Sequence, residues 1–136
     1  MKAFPVKTKK IGATRYTDII KRARKIFHDI EKKTKRRAYV RSAYFKKEKI
    51  FFDFFWVHLN QKLPSDRRRR LRYFPCAIEL IENSRLKPFS EPNRNKKNEV
   101  LYRFAGITEE NELFFVQVKE NTKTKQRFLM SIFDEI

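Results

Sequence analysis

The hydrophobic pattern of the chain changes its period near residue 99, and this change restricts the possible fold classes. In the first predicted helix, Ile19, Ala23, Ile26 and Ile30 recur every three or four positions, as on one face of a helix. From residue 99 onward they recur every second position, as in a half-buried strand. Helices followed by an antiparallel meander are typical of an α+β domain. We therefore predict N-terminal helices packed on one face of a small C-terminal antiparallel β-sheet.

The length of 136 residues suits one domain. We predict a mobile basic arm over 1–13 and a single domain over 14–136. The domain divides into helices over 14–84, a loop over 85–98 and a β-meander over 99–134. The segment 36–52 is compatible with either short extended segments or a continuation of the first helix.

The predicted strands, 99–105, 112–120 and 126–133, each have one apolar face. We expect this face to meet the helices, through Val100, Tyr102, Phe104, Phe114, Val116, Val118, Phe128, Met130 and Ile132. The other face collects polar residues in phase with one another, at Arg103, Gln117, Lys119, Arg127 and Ser131. A solvated face is common in antiparallel sheets, so the pattern is compatible with plain exposure as well as with a phosphate-binding floor.

Charge is the strongest compositional feature of the chain. Lys and Arg number 34 against 16 Asp and Glu, which gives a net charge of +18. Such an excess favours a polyanionic partner, and among nucleic acid, ribosome, anionic membrane and acidic protein we favour nucleic acid. Only two glycines are present, which argues against a glycine-rich nucleotide-binding loop.

Several other classes of protein are disfavoured by the sequence. The longest apolar run, near residues 50–59, is far shorter than the roughly 20 residues that a spanning helix needs, so we expect no membrane partner. Cys76 is alone, and one Cys with two His is a poor ligand set for structural zinc. We therefore expect no metal, no cofactor and a cytoplasmic location.

Four residues supply the chemistry that RNA cleavage through the 2′-hydroxyl requires, namely proton transfer and stabilisation of phosphate charge. His58 suits the proton transfer, Arg103 and Lys119 suit the phosphate, and the Ser131 hydroxyl can donate to a phosphate oxygen. Each also has a plainer interpretation. His58 lies in an apolar segment where a hydrogen-bonded core histidine is common, and Lys119 lies near a strand end where lysine is often solvated.

A wider set of residues is predicted to contact the RNA without taking part in chemistry. Within it, the run of four arginines from Arg67 to Arg70 is interpreted as a helix face that is either solvated or in contact with the RNA backbone. The full set is Lys62, Arg67, Arg68, Arg70, Gln117 and Arg127.

Five stretches of the chain resemble the phage-associated barnase–EndoU–colicin–RelE type nucleases: "FFDFFWVHLNQK", "RRLRYFPCAIELIENS", "LYRFAG", "FFVQVKE" and "RFLMSIF". The resemblance covers about residues 50–133. It implies helices on one face of a small curved antiparallel sheet, RNA on the other face and metal-independent RNA cleavage. It assigns the family's histidine to His58, its strand arginine to Arg103 and its late hydroxyl to Ser131. The second histidine that some relatives carry near the last strand is lacking here.

The leading hypothesis is a small endoribonuclease, a toxin or phage-related effector, that acts on tRNA, mRNA or the ribosome and is held by an acidic antitoxin or immunity protein. One alternative is a non-catalytic RNA- or ribosome-binding module, and another is a basic protein that binds an acidic partner. A cleft shared by His58, Arg103 and Ser131 would favour the enzyme. A buried His58 far from the cations would favour the binding module.

Overall fold

The computed structural model describes residues 2–134, and Met1, Glu135 and Ile136, which the sequence analysis assigned to the arm and the domain, lie outside this range. Within it, seven strands and four helices follow one another. In chain order they are β1 (Phe4–Pro5), α1 (Tyr16–Thr34), β2 (Tyr39–Ser42), β3 (Glu48–Phe51), α2 (Phe55–Asn60), α3 (Pro64–Leu71), α4 (Phe74–Asn83), β4 (Phe89–Pro92), β5 (Glu99–Ile107), β6 (Leu113–Asn121) and β7 (Arg127–Phe133).

All the strands belong to one curled sheet, in the order β1-β5-β6-β7-β3-β2, and β4 also pairs with β5. The β1–β5 and β3–β7 pairs are parallel, and the other pairs are antiparallel. The three C-terminal strands therefore form the middle of a larger sheet that draws strands from both ends of the described chain.

The prediction of a small C-terminal antiparallel sheet is wrong, although the α+β class is right. The segment 36–52 forms the β2–β3 hairpin and joins the sheet through β7. The predicted loop over 85–98 contains β4. These strands have four residues each, which is too few for alternation to stand out among so many cations.

The N-terminal segment packs against the rest of the protein, where the sequence predicted a mobile arm over 1–13. β1 pairs with the end of β5, and Val6 and Ile11 are buried. The carboxylate of Glu79 accepts hydrogen bonds from the backbone N–H of Thr8, at 2.8 Å, and from its hydroxyl. Two buried side chains and the hydrogen bonds to Glu79 thus hold the N-terminal segment in place, although its basic composition suggested mobility.

The core lies between the helices and one face of the sheet, which we call the core face. Phe104, Phe114, Val116, Val118 and Ile132 are buried there, as the alternation predicted. Two other members of the predicted set are placed differently by a β-bulge in β7: Gln117 pairs with Ser131, but Val118 pairs with Leu129, so that Met130 is the extra residue. Leu129 therefore enters the core, and Phe128 turns to the outer face.

Most of one edge of β7 is covered by helices instead of a strand. β3 pairs with β7 only at Arg127 and Phe128, and α2 and α3 pack along the rest of that edge. The guanidinium of Arg70 donates to the carbonyl oxygen of Ile132 at 3.3 Å and so partners an edge group that no strand reaches. This packing places the end of α2 beside the last strand.

Candidate functional site on the outer face of the sheet

Three polar residues lie side by side across the middle of the outer face. Arg103 on β5 is the register partner of Gln117 on β6, and Gln117 is the partner of Ser131 on β7. Adjacent strands are about 4.8 Å apart, so the backbones of Arg103 and Ser131 are separated by about 10 Å. An extended arginine side chain can span much of that distance.

The guanidinium of Arg103 lies between two aromatic rings. Its Cζ is 5.8 Å from the ring centroid of Phe89 and 5.7 Å from that of Phe133. Its Nε is buried and has no hydrogen-bond partner in the described part of the chain. The residue as a whole is only partly buried, and guanidinium N–H groups pair well with phosphate oxygens, so Arg103 is suited to bind a phosphate on this face.

His58 lies near the end of α2, at the seam between that helix and β7. It lines a cleft with Lys62, Arg70 and Ser131. The cleft has a volume of about 10 Å³, which is about the space that one water molecule needs. A group larger than one water molecule does not fit inside the cleft.

The imidazole of His58 is held in its neutral form. Burial lowers its pKa from the ordinary value of 6.5, and the charges of Lys62, Lys119 and Lys96 lower the pKa further. A neutral imidazole can accept a proton at pH 7. The surroundings of His58 are therefore cationic and not those of an isolated core histidine.

Lys119 shares the outer face with Arg103 but is already engaged by other groups. Its Nζ is 3.5 Å from Oε2 of Glu99 and 4.2 Å from the ring centroid of Phe54. The side chain is only 13% exposed, so it is not the freely solvated lysine that its strand-end position suggested. Its charge reaches His58, while Glu99 balances part of it.

Arg70 belongs to this site more closely than the sequence indicated. Besides its bond to β7, its Nε donates to Oδ1 of Asp66 at 3.0 Å, and its Cζ lies 5.8 Å from the ring centroid of Phe133. Arg70 and Arg103 thus flank the same ring. In the sequence, nothing distinguishes Arg70 from its neighbours in the run of four arginines. Its packing against β7 in the structure does distinguish it. Lys96, in the loop after β4, was likewise not singled out.

The structure places the other predicted RNA contacts in different regions. Lys62 lines the cleft and Gln117 lies at the centre of the row, but Arg67 is stacked 5.7 Å from the ring centroid of Tyr16. Arg68 is exposed and faces a separate cavity beside α3. Arg127 lies on the core face, because the bulge shifts the faces of the first half of β7.

We use the name sheet-face site for the group that the fold brings together: His58, Lys62, Arg70, Lys96, Arg103, Gln117, Lys119 and Ser131. Within residues 2–134, no cluster of three or more His, Cys, Asp or Glu side chains could hold a metal ion. No helix in that range is both long enough and apolar enough to cross a membrane.

Comparisons of the chain with protein-family models, with curated proteins and with solved structures gave no match. The resemblance to barnase–EndoU–colicin–RelE type nucleases therefore stays a hypothesis that rests on the sequence motifs.

Proposed function

We propose that the protein is a metal-independent endoribonuclease that cleaves RNA at the sheet-face site. The observation that carries the proposal is one juxtaposition: His58, Arg70 and Ser131 line one cleft at the end of the row that begins at Arg103. A proton acceptor, two guanidinium groups and a hydroxyl are thereby brought to one side of one sheet.

In the proposed reaction, neutral His58 takes the proton of the 2′-hydroxyl. The 2′-oxygen attacks phosphorus, the bond from phosphorus to the 5′-oxygen breaks, and the 5′-oxygen takes a proton from water. Arg103 and Arg70 stabilise the negative charge that grows on the phosphate oxygens, and Ser131 donates a hydrogen bond to one of them. The products are a 2′,3′-cyclic phosphate and a 5′-hydroxyl.

The partners proposed for this activity follow from charge. The substrate is RNA, as tRNA, mRNA or the ribosome, and an acidic antitoxin or immunity protein would bind by neutralising the basic face. A toxin or phage-related effector of this kind would act in the cytoplasm, where its substrate is found.

Incubation of purified protein with total RNA in excess EDTA, followed by analysis of the product ends, tests the proposal. We expect cyclic phosphate and 5′-hydroxyl ends from the parent and from His28→Ala, and almost none from His58→Ala. His28 is the matched control because it is exposed on α1, where it contacts Glu31. RNA binding without new ends would instead support a non-catalytic binding module, which the narrowness of the cleft favours.

A further inference from the structure

A second basic region, which we call the turn groove, lies at one end of the sheet. Because β3 and β7 are parallel, the β2–β3 turn and the β6–β7 turn lie at the same end, and the groove lies between them. Its volume is about 810 Å³, within the range of small-molecule and cofactor sites. One carboxylate, that of Glu48, lines the groove beside five cations: Arg41, Lys46, Lys49, Lys125 and Arg127.

Arg127 is held in a fixed orientation within the groove. Its Cζ lies 4.1 Å from the ring centroid of Phe45, and its NH2 group is 3.3 Å from Oε2 of Glu120. Glu120 is only 6% exposed, and its other oxygen accepts a 2.7 Å hydrogen bond from the hydroxyl of Tyr102. The side chain of Arg127 is 16% exposed, and the exposed part of a planar guanidinium fixed in this way offers a platform for a nucleobase.

The two turns carry lysine at backbone positions that disfavour it. Lys46, Lys47 and Lys125 have φ of 55°, 70° and 66°. Positive φ suits Gly or Asn, and of the three other described non-Gly residues with positive φ, two are Asn98 and Asn111 and the third is Lys35. At this end of the protein, side-chain charge is thus retained where the backbone would favour another residue.

We propose that the turn groove binds a single-stranded nucleic acid. A base would stack on Arg127, and the adjoining phosphates would contact Lys46, Lys49 and Lys125. Cations interleaved with aromatic rings are the usual means of binding single strands, and the partly buried Tyr44 and Phe51 line the same groove. The bases of a duplex are stacked inside the helix and could not reach Arg127. This inference does not rest on the proposed cleavage, since the groove and the His58 cleft have no lining residue in common.

Fluorescence anisotropy with a 2′-O-methyl oligouridine 12-mer, which cannot be cleaved through its 2′-oxygen, tests the groove directly. The matched probes are a duplex of the same length and a sulfated polysaccharide of similar charge. We expect the single strand to bind tightest and its affinity to fall with salt. Arg127→Lys keeps the charge but removes the platform, so it should weaken binding about tenfold.

Lys125→Gly tests whether the charge of Lys125 contributes to binding, because the substitution removes that charge without a loss of stability. It should lower the salt dependence by about one counterion while leaving the thermal transition unchanged or higher, because glycine suits positive φ. Lys25→Ala, at an exposed position on α1, is the control for a generic loss of charge. Affinities of Arg127→Lys and Lys125→Gly within twofold of Lys25→Ala would overturn the inference. Equal affinity for the polysaccharide, unaffected by Arg127→Lys, would also overturn it.

Discussion

The sheet-face site and the turn groove use the same residue type in different ways. Arg103 and Arg127 each have a buried Nε without a hydrogen-bond partner in the described chain. Arg127 is paired with the buried carboxylate of Glu120, whereas the contacts described for Arg103 are with the rings of Phe89 and Phe133. The charge of Arg103 is therefore less compensated and more available to a phosphate whose charge grows during a reaction, while the paired Arg127 is suited to stable binding.

The two regions also differ in whether they contain a group that titrates near neutral pH. The sheet-face site contains His58, whose pKa is lowered by burial and by the lysines around it. In the turn groove, burial and the hydrogen bond to Glu120 raise the pKa of Tyr102 to about 12. Proton transfer at neutral pH is therefore expected at the sheet-face site, and the predictions below test this contrast.

The largest effect is expected for His58→Ala. Removal of the proton acceptor should lower the cleavage rate by about 10²–10⁴-fold. The rate is measured under single-turnover conditions, with His28→Ala as the control. Because His58 is partly buried, the thermal transition of each variant must also match that of the parent. Parental activity in folded His58→Ala would remove the proposed reaction and leave two binding surfaces.

Arg103→Ala is expected to lower the cleavage rate by about 10²–10³-fold, because it removes a preorganised cation from the developing charge. Affinity for RNA should change far less, since many cations share that binding. Arg68→Ala, on the exposed side of α3, is the control. An equal loss in both variants would show that general charge and not the geometry of the site determines the rate.

Arg127→Ala should reveal the structural role of its ion pair. Without Arg127, the buried carboxylate of Glu120 loses its cation, and the free energy of unfolding should fall by about 3 kcal/mol. Urea denaturation measures this loss, and Arg103→Ala should show much less of it. A Glu120→Gln background should reduce the effect of Arg127→Ala, because no charge then remains buried. Equal stability of Arg127→Ala and Arg103→Ala would contradict the proposed difference between a paired Arg127 and a less compensated Arg103.

Ser131→Ala is expected to lower the cleavage rate only about threefold to tenfold, because a neutral hydroxyl contributes one modest hydrogen bond. Ser90→Ala, on the exposed strand β4, is a suitable control. The ratio of single-turnover rates gives the result. A loss as large as that of His58→Ala would mean that Ser131 takes part in proton transfer, contrary to the role proposed here.

The smallest effect expected is a shift with salt in the pH profile. Cleavage requires neutral His58, so activity should be lost as pH falls through a pKa below 6.5 and should be level above it. Added salt screens the lysines and should raise that pKa slightly. Oligonucleotide binding at the turn groove should show no inflection near this pKa. An inflection above 6.5 would contradict the environment described for His58.

The sequence predicted those features that depend on local alternation. The shared face of Arg103, Gln117 and Ser131 follows from period two on three consecutive strands. The bulge at Met130 leaves no such signal, and it alone moved Arg127 from the predicted face to the opposite one. The faces of Ser131 and Ile132, which follow the bulge, agree with the alternation, whereas the faces of Arg127 and Phe128, which precede it, depend on the cross-strand pairing.

Contacts between distant segments could not be predicted from the sequence. The meeting of His58 with Ser131 depends on α2 replacing a strand along one edge of β7, and the motif resemblance named both residues without showing that packing. The turn groove depends on the parallel pairing of β3 with β7. Parallel partners are far apart in the chain, so no local pattern records which strands will meet.

The parallel pairs β1–β5 and β3–β7 also determine how late in protein synthesis the sheet can be completed. β1 cannot find its place before β5 has been made, and β3 cannot pair before β7 has been made. A nascent chain that stops short of β7 lacks the core residues Leu129 and Ile132 as well as Ser131. Such distant pairings form slowly. If the proposed activity is correct, the ribosome that makes this protein is not exposed to an assembled active site until translation has passed the last strand.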